Sequence, residues 1–280
     1  NTIVQYEAGN NRVLYDAFIK NKKTIVNDGF AVLPANTWKA AGVAIPVFSL
    51  RSNNSCGVGE FTDIRLLVDW AKTTGLKLVQ ILPVNDTTAT HTWTDSYPYA
   101  AISAFALHPM FLNLATAAGD ANAGLLKDIE EERQRLNKLD AVDYEAVNTL
   151  KWKVIKQLYP LQKKTIFASK EYKEYFDLNK HWLIPYVAFC YFRDKYNSAD
   201  FNSWQTHKNY DAEEVAALLE PTSTSFDEIA IHLYVQYLLH LQLKEATQYA
   251  HDNGTDVILR WLNHDLHDQI PRQQDVFQTQ

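Results

Sequence analysis

The chain has 280 residues, of which 46% are hydrophobic, and this is enough to bury the core of one large domain or two modest ones. Its formal net charge is −6 without any basic cluster, which argues against nucleic acid as a partner and favours a neutral or weakly charged substrate. Two distant cysteines, Cys56 and Cys190, and the lack of a bilayer-length apolar run or signal peptide predict no disulfide framework, no metal site, no membrane partner and a cytoplasmic location.

The first strongly patterned stretch predicts a strand, a helix and a second strand. The apolar run Val43 to Phe48 is followed by a polar loop, and Leu78 to Leu82 predicts a strand buried on both faces. Between them the spacing predicts a helix over Phe61 to Thr74 that Gly75 ends. Its predicted details are caps at Thr62 and Asp63 and an apolar face of Leu66, Leu67 and Trp70. Such a crossover makes the strands parallel, so the loops after both strands lie at one sheet edge, where α/β proteins build their sites.

The rest of the chain is mainly helical by its apolar spacing. The predicted helices are Asp120 to Leu139, Tyr144 to Tyr175, Trp182 to Lys195 and Phe226 to Asn253. Pro185 falls in the first turn of the third helix, and Gly254 ends the fourth. A strand pattern persists at Val257 to Leu259.

The chain divides into four predicted parts. Residues 1–28 are a lead-in or linker, and residues 29–118 form strand–helix units with a polar-aromatic loop. Residues 119–225 form a mainly helical insertion, and residues 226–280 form a helix and a further strand with a divergent end. Because the sequence starts at Asn1 and its one methionine is Met110, we expect a segment of a longer protein.

Four motifs follow one another in the strand–helix part. They are Gly42 to Pro46, Ser55 to Phe61, Gln80 to Pro83 and Asp95 to Pro109. In this order they resemble the motifs of the 4-α-glucanotransferases of glycoside hydrolase family 77, the amylomaltase or disproportionating-enzyme family. Tyr97 is an extra residue and Glu60 replaces Asp in the family pattern. The variants at Asn85-Asp86-Thr87 and around Tyr97 look most like the maltose-using branch, and the resemblance covers Gly29 to Gly254.

The resemblance implies an α/β fold of the (β/α)8 TIM-barrel type with a large helical insertion, incomplete in this chain. It also implies a retaining transferase without a cofactor, acting on maltooligosaccharide or glycogen-like glucan. Such chemistry needs two carboxylates about 5 Å apart. In the family these lie in Arg-x-Asp-His and Glu-Asp-Leu-Gly-like motifs, and this sequence has neither; the His-Asp of Asn263-His264-Asp265 has different surroundings. We therefore expect no catalytic residue in this chain and no activity from it alone.

The resemblance places Asp95, Ser96 and Tyr99 on the loop that lines the family's glucan site. Trp93 is added as an aromatic residue of the same loop, and Asn85 because it follows the second strand. The predicted substrate-binding residues are Ser96, Tyr99, Asp95, Asn85 and Trp93. Hydroxyl-directed side chains and aromatic faces are what sugars require. The residues alone favour structural roles for two pairs: Pro98-Tyr99 as a turn, and Asp95-Ser96 as a cap for a helix at Ala100 to Phe105. For Asn85, substrate contact and an Asx turn into Thr87 are equally open. With the resemblance, Ser96 and Tyr99 are assigned to the site and Asp95 stays open.

Two other side chains have predicted roles outside the substrate site. Arg51 is expected to pair with a carboxylate at the edge of the core, and His108 to be structural. Two rival functions stay open: a glucan-binding module without chemistry, and a (β/α)8 hydrolase of the α-glucosidase or amylase type.

Overall fold

Three short parallel strands form the sheet beside which the candidate site lies. They are β1 (Gly42–Ile45), β2 (Leu78–Ile81) and β3 (Asp256–Leu259), in the order β1-β2-β3. Both neighbouring pairs of strands are parallel, with Ala44 opposite Gln80 and Gln80 opposite Ile258. The strand predicted at Val257 to Leu259 is confirmed as part of β3. The computed structural model describes residues 40–259, which from Ala41 form one compact unit. The predicted lead-in and the His-Asp at residues 264–265 lie outside this range.

The first two strands differ from their predicted form. β1 ends at Ile45 instead of Phe48, because Pro46 has no N–H for a strand ladder and a 3₁₀ turn (Val47–Ser49) follows. In β2, Val79 and Ile81 are buried while the two alternate residues are partly exposed. The prediction that this strand is buried on both faces is therefore wrong.

Seven α-helices lie within the described range. They are α1 (Asp63–Thr74), α2 (Leu114–Asn122), α3 (Glu130–Asn137), α4 (Tyr144–Ala168), α5 (Lys170–Tyr196), α6 (Ala212–Leu218) and α7 (Phe226–Asp252). Helices α4, α5 and α7 pack against one another, and α7 also packs against α1 and β3. The hydrophobic core therefore runs from the sheet into the helical part. None of the helices described here combines the length and apolar character needed to cross a membrane.

Helix α1 connects β1 to β2 and ends at Gly75, as predicted. Its buried apolar residues are Ile64, Leu67, Val68 and Ala71. Leu66 is 58% exposed and Trp70 49% exposed, so the predicted apolar face is wrong at two of its three positions. Both lie on the opposite side of the helix from the packed residues. The prediction failed because apolar residues occur on two sides of this helix, and spacing alone does not tell which side is buried.

The start of α1 is held by Asp63, one of the two predicted caps, and not by Thr62. Thr62 makes no capping hydrogen bond. The buried Asp63 carboxylate accepts hydrogen bonds from Ser55 Oγ at 2.9 Å and from the N–H of Glu60 at 2.8 Å. Asp63 thus fixes the turn that precedes the helix.

Two predicted helices are interrupted and one is longer than predicted. Gly119 adopts a left-handed φ of 60° and residues 123–129 form 3₁₀ turns, so a single helix over Asp120 to Leu139 is wrong. Ser169 separates α4 from α5 and accepts the N–H of Tyr172 as an N-cap. Pro185 lies inside α5 instead of its first turn, because burial of α5 along α7 offsets the local cost of proline.

A buried ion pair joins α4 to the turn that precedes α1. Lys151 Nζ donates to Glu60 Oε1 at 2.6 Å, and both side chains are essentially inaccessible to solvent. The same ammonium donates to the carbonyls of Met110 and Leu112 at 2.6 and 2.7 Å, and Asn113 Nδ2 donates to Glu60 Oε2. Every hydrogen of the ammonium therefore has an acceptor, which is the condition for keeping such a pair inside a protein.

Gly59 lies where the chain folds back past the turn after β1. Its N–H donates to the Phe48 carbonyl at 2.9 Å. A Cβ at this position would lie 1.9 Å from the Val47 carbonyl oxygen and 2.7 Å from the Leu50 nitrogen, so only glycine fits.

Candidate functional site

A cavity of about 380 Å³ lies beyond the carboxyl ends of β1 and β2. We call it the first cavity, and we call residues 85–99 the site loop. Phe48, which follows β1, and Asn85, which follows β2, both line the first cavity. Its volume is within the range of small-ligand pockets, and its position is the usual one in parallel α/β proteins.

The first cavity brings together four of the five predicted substrate residues. Asn85, Trp93, Asp95 and Ser96 line it. Tyr99 does not; its ring lies 5.5 Å from that of Tyr97, and it is 39% exposed. The predicted group is therefore adjacent in space, with Tyr99 outside the cavity lining.

Asp95 is buried and closes the site loop on itself. Its carboxylate accepts the N–H groups of Thr90 and His91 at distances from 2.7 to 3.1 Å, and the Thr90 hydroxyl at 2.9 Å. Residues 100–105 form no helix, so the alternative prediction of a helix cap is wrong. The carboxylate orders the turn before it because two backbone donors converge there.

Asn85 lines the first cavity, but the turn predicted at Asn85 is made by Asp86. Asn85 Nδ2 donates to the Ala104 carbonyl at 2.8 Å, so Asn85 ties the site loop to the following segment. The turn into the threonines is made one residue later, where Asp86 Oδ1 accepts the N–H of Thr88 at 2.9 Å. The predicted Asx turn at Asn85 is therefore wrong by one residue.

Trp93 and Ser96 are the accessible members of the group. Trp93 is 70% exposed, and its backbone N–H donates to Glu145 Oε1 at 3.0 Å, which fixes this part of the loop to α4. Ser96 is exposed, and its hydroxyl has no partner among the described residues. An open aromatic face and an unengaged hydroxyl are thus both available to a ligand.

His108 and Tyr144 line the other part of the first cavity, and Tyr144 is not among the site residues predicted from the sequence. His108 Nδ1 accepts the N–H of Met110 at 3.1 Å, so its proton is on Nε2, which lies 2.8 Å from Tyr144 Oη. Burial lowers the pKa of His108 and raises that of Tyr144, so the pair is neutral. The acidic residues on either side of Tyr144 at the start of α4 were a signal that could have found it.

Helix α5 anchors the site loop through two buried side chains. Tyr186 Oη donates to Asp86 Oδ2 at 2.6 Å, and Gln236 Nε2 on α7 lies 3.3 Å from the same hydroxyl. Arg193 Nη1 donates to the Thr88 carbonyl at 2.7 Å. The fully buried Asp86 carboxylate is therefore satisfied by the loop and by α5 together.

Asp194 adds a charged contact beside these anchors. Its Oδ1 lies 2.8 Å from His91 Nε2 and accepts Arg193 Nε at 2.7 Å, while Oδ2 is 3.8 Å from His232 Nε2. Burial opposes ionisation of Asp194, but the hydrogen bonds from His91 and Arg193 outweigh it and hold its pKa below the usual range. The sequence offered no signal for this contact.

Other candidate side chains have structural contacts. Arg51 donates to the backbone carbonyls of Leu139 and Asp140, so the expected pairing with a carboxylate is wrong. Cys56 is buried, which raises the pKa of its thiol to about 12. The described range contains no group of three His, Cys, Asp or Glu residues arranged to hold a metal ion.

The family model described as 4-alpha-glucanotransferase, glycoside hydrolase family 77, matches residues 45–266. The match extends beyond Gly254, so the predicted end of the resemblance is wrong. The rice (Oryza sativa subsp. japonica) 4-alpha-glucanotransferase DPE2 is 41% identical over 231 residues, covering 82% of this chain and 24% of the relative. The 4-alpha-glucanotransferase of Chlamydia muridarum is 30% identical over 214 residues, covering 76% of this chain and 39% of the relative.

Solved structures show the same fold at lower identity. An amylomaltase from Streptococcus agalactiae in complex with acarbose superposes with a TM-score of 0.65 at 21% identity, covering 80% of this chain and 43% of that one. The amylomaltase of Corynebacterium glutamicum gives a TM-score of 0.58 at 18% identity, with 79% and 29% covered. The α/β fold of this chain is therefore part of the amylomaltase fold.

The chain spans between 24% and 43% of the length of these relatives. The family match covers most of the sequence, and the parallel strands, the motif order and the site loop agree with it. This chain belongs to the 4-alpha-glucanotransferase family, glycoside hydrolase family 77.

Proposed function

We propose that this chain forms the glucan-holding part of a 4-α-glucanotransferase. The whole enzyme transfers α-1,4-glucan segments or glucosyl units between maltooligosaccharides or glycogen-like glucans. One observation carries the proposal: the first cavity lies at the carboxyl edge of parallel strands and is lined by Asn85, Trp93, Asp95 and Ser96. The names of the family and its relatives support the same substrate class.

The first cavity offers a sugar both kinds of contact that it needs. Trp93 provides an exposed ring face for the C–H face of a glucosyl unit, and the Ser96 hydroxyl provides a donor and an acceptor. Asp95 is engaged with backbone donors, so it holds the loop in shape for these two residues. Tyr99, beside the cavity, extends the aromatic surface to a further sugar ring.

Glucan transfer with retention needs one carboxylate that forms a covalent glycosyl-enzyme and a second that protonates the leaving oxygen and then deprotonates the acceptor. The two lie about 5 Å apart. Among the residues that line the first cavity within the described range, Asp95 is the one carboxylate, and its oxygens are engaged. We propose that the reacting pair comes from another part of the protein, that no cofactor takes part, and that this chain alone is inactive.

Binding of maltotriose to the 280-residue chain, measured by titration calorimetry, tests the proposal. We expect Ser96→Ala and Trp93→Ala each to weaken binding about fivefold or more, as loss of one hydrogen bond or one stacking ring predicts. Trp70→Ala is the matched control, because Trp70 is also an exposed tryptophan but lies outside the first cavity. Unchanged affinity in both site variants would overturn the proposal.

Product analysis separates transfer from its rivals. With maltotriose alone, we expect this chain to form neither glucose nor longer glucans. The complete protein is expected to form both at a constant number of glycosidic bonds, whereas a hydrolase would lower that number. Maltose as donor and a branched glucan as acceptor test assignment to the maltose-using branch, and cell fractionation tests the predicted cytoplasmic location.

A further inference from the structure

A second cavity of about 300 Å³ lies on the helical part, between α5 and the chain that follows it. We call it the second cavity. Phe189 and Phe192 of α5, Trp204 in the connecting segment and Val215 of α6 line it. None of these residues belongs to the site loop or lines the first cavity.

The floor of the second cavity is aromatic. The ring of His207 stacks on that of Phe192 with centroids 4.1 Å apart and planes inclined by 20°. The Trp204 ring lies 5.8 Å from that of Phe192 and 6.0 Å from that of Phe189. The lining of the cavity is therefore largely aromatic.

The polar atoms of these rings are already paired inside the protein. Trp204 Nε1 donates to the Ser198 carbonyl at 2.8 Å. His207 Nε2 lies 2.7 Å from Glu214 Oε1, and its Nδ1 lies 2.7 Å from Tyr196 Oη. The cavity thus keeps its shape without a ligand, as a preformed binding site does.

Exposed aromatic side chains are concentrated at the two cavities. Within the described range the exposed large aromatics are Trp70, Trp93, Tyr97, Tyr99, Phe201 and Tyr210. Three belong to the site loop. Phe201 and Tyr210 line the second cavity and are 49% and 56% exposed. Open aromatic faces beside a cavity indicate a ligand with an apolar face, such as a sugar ring.

The rim of the second cavity indicates that this ligand is neutral and rich in hydroxyl groups. Lys208, Asn209 and Asp211 are exposed there and supply one positive group, one amide and one negative group. A second carboxylate of the lining, Glu214, is 46% exposed and engaged with His207. The rim therefore carries charges of both signs and does not select a strongly charged ligand, while Lys208, Asn209 and Asp211 can hydrogen bond to hydroxyls.

We propose that the second cavity binds a glucosyl unit of an α-glucan and gives a long substrate a hold separate from the first cavity. This rests on the proposed function, which sets the substrate class. A short oligosaccharide gains little from a second site, whereas a polymer that occupies both gains through the raised effective concentration of its other segments.

Affinity electrophoresis of the 280-residue chain in gels containing glycogen tests the proposal. The second-cavity variant carries Phe201→Ala and Tyr210→Ala, both at exposed positions that leave the fold intact. The site-loop variant carries Trp93→Ala and Ser96→Ala, and Trp70→Ala is again the matched control. Thermal unfolding confirms that each protein is folded.

We expect the second-cavity variant to bind glycogen about fivefold more weakly than the unmodified chain. A variant that carries the second-cavity and the site-loop substitutions together should no longer be retained by the glycogen gel. The Trp70 control should migrate like the unmodified chain. Retention of the second-cavity variant equal to that of the control would overturn the proposal. If the site-loop variant is retained normally while the second-cavity variant is not, the proposed role of the first cavity fails and the second site stands.

Discussion

The two cavities use the same helix, α5, but are built by different means. The first cavity depends on buried polar and charged side chains: Asp86 and Asp95 order the site loop, and Tyr186 and Arg193 hold it to α5. The second cavity depends on packed rings whose polar atoms are paired locally, within the segment from Tyr196 to Glu214.

This difference predicts how each cavity responds to change. A buried carboxylate holds one arrangement of donors, and losing any of them leaves an unsatisfied group in the interior. In a cluster of packed aromatic rings, a substitution removes many small dispersion contacts without leaving an unsatisfied polar group, so the rest of the cluster keeps its arrangement. The first cavity should therefore be precise and sensitive to single substitutions and acid, and the second should be tolerant.

The largest expected effect is at the Lys151–Glu60 ion pair, whose ammonium also donates to the carbonyl of Met110 in the lining of the first cavity. Lys151→Met leaves the Glu60 carboxylate and the Met110 and Leu112 carbonyls without their shared donor. We expect the free energy of unfolding in urea to fall by about 3–5 kcal/mol. Lys163→Met is the matched control, because Lys163 pairs with Asp227 near the surface and should cost less than about 1 kcal/mol. Equal losses in the two variants would contradict this account.

Acid is the next largest perturbation. Burial lowers the pKa of His232 to about 4, against an ordinary value of 6.5, although Asp194 opposes the shift. Between these values the unfolded chain binds a proton that the folded chain does not, so this contribution to stability is lost as pH falls from about 6.5 to 4. It amounts to about 3 kcal/mol. The pH dependence of urea unfolding should be shallower in His232→Gln and unchanged in His251→Gln, an exposed histidine of the same helix. Identical slopes would show that His232 titrates normally.

Loss of one loop anchor should have a smaller and more local effect. Tyr186→Phe removes the donor to Asp86 Oδ2, and we expect a loss of about 2 kcal/mol. Hydrogen exchange followed by mass spectrometry should show faster exchange in residues 85–96 and unchanged exchange in residues 198–211. Tyr172→Phe, a buried tyrosine of the same helix that packs on Phe167, should change neither segment. Unchanged exchange in the site loop would mean that α5 does not hold it.

The smallest effect is expected at the second cavity. Glu214→Gln keeps an oxygen that can face His207 Nε2, and Glu214 is 46% exposed. The change in unfolding free energy should be within about 0.5 kcal/mol. A loss above about 2 kcal/mol would place the second cavity in the same class as the first and remove the contrast between them.

The sequence was sufficient for local features and for their order along the chain. The apolar runs Val43 to Phe48 and Leu78 to Leu82 predicted the two parallel strands, although the first strand ends earlier, at Ile45. Their parallel pairing placed the polar loops at one edge. The resemblance supplied Asp95 and Ser96, and position and residue type supplied Asn85 and Trp93; the structure places all four around one cavity. Each of these features depends on residues that are close in the sequence, and local sequence patterns can therefore predict it.

Contacts between distant segments could not be predicted. Tyr186 lies 100 positions from Asp86, and nothing in either neighbourhood indicates that the two meet. Tertiary packing also overrides local preference, as at Pro185, and decides which of two overlapping stripes of α1 is buried. The second cavity was missed because its aromatic spacing in α5 is also that of an ordinary core helix.

The close approach at Gly59 has a consequence for the evolution of this protein. Because an added methyl group would overlap the Val47 oxygen, no chain of neutral single steps can pass through another amino acid at this position. A saturation library selected for folded protein should therefore return glycine alone at position 59, while Gly75, around which no atom lies within 4 Å of an added Cβ, should accept asparagine. Where the backbone of Gly59 passes that of Val47 to Leu50, beside the first cavity, homologous proteins should therefore differ by insertion or deletion of residues and not by substitution of this glycine.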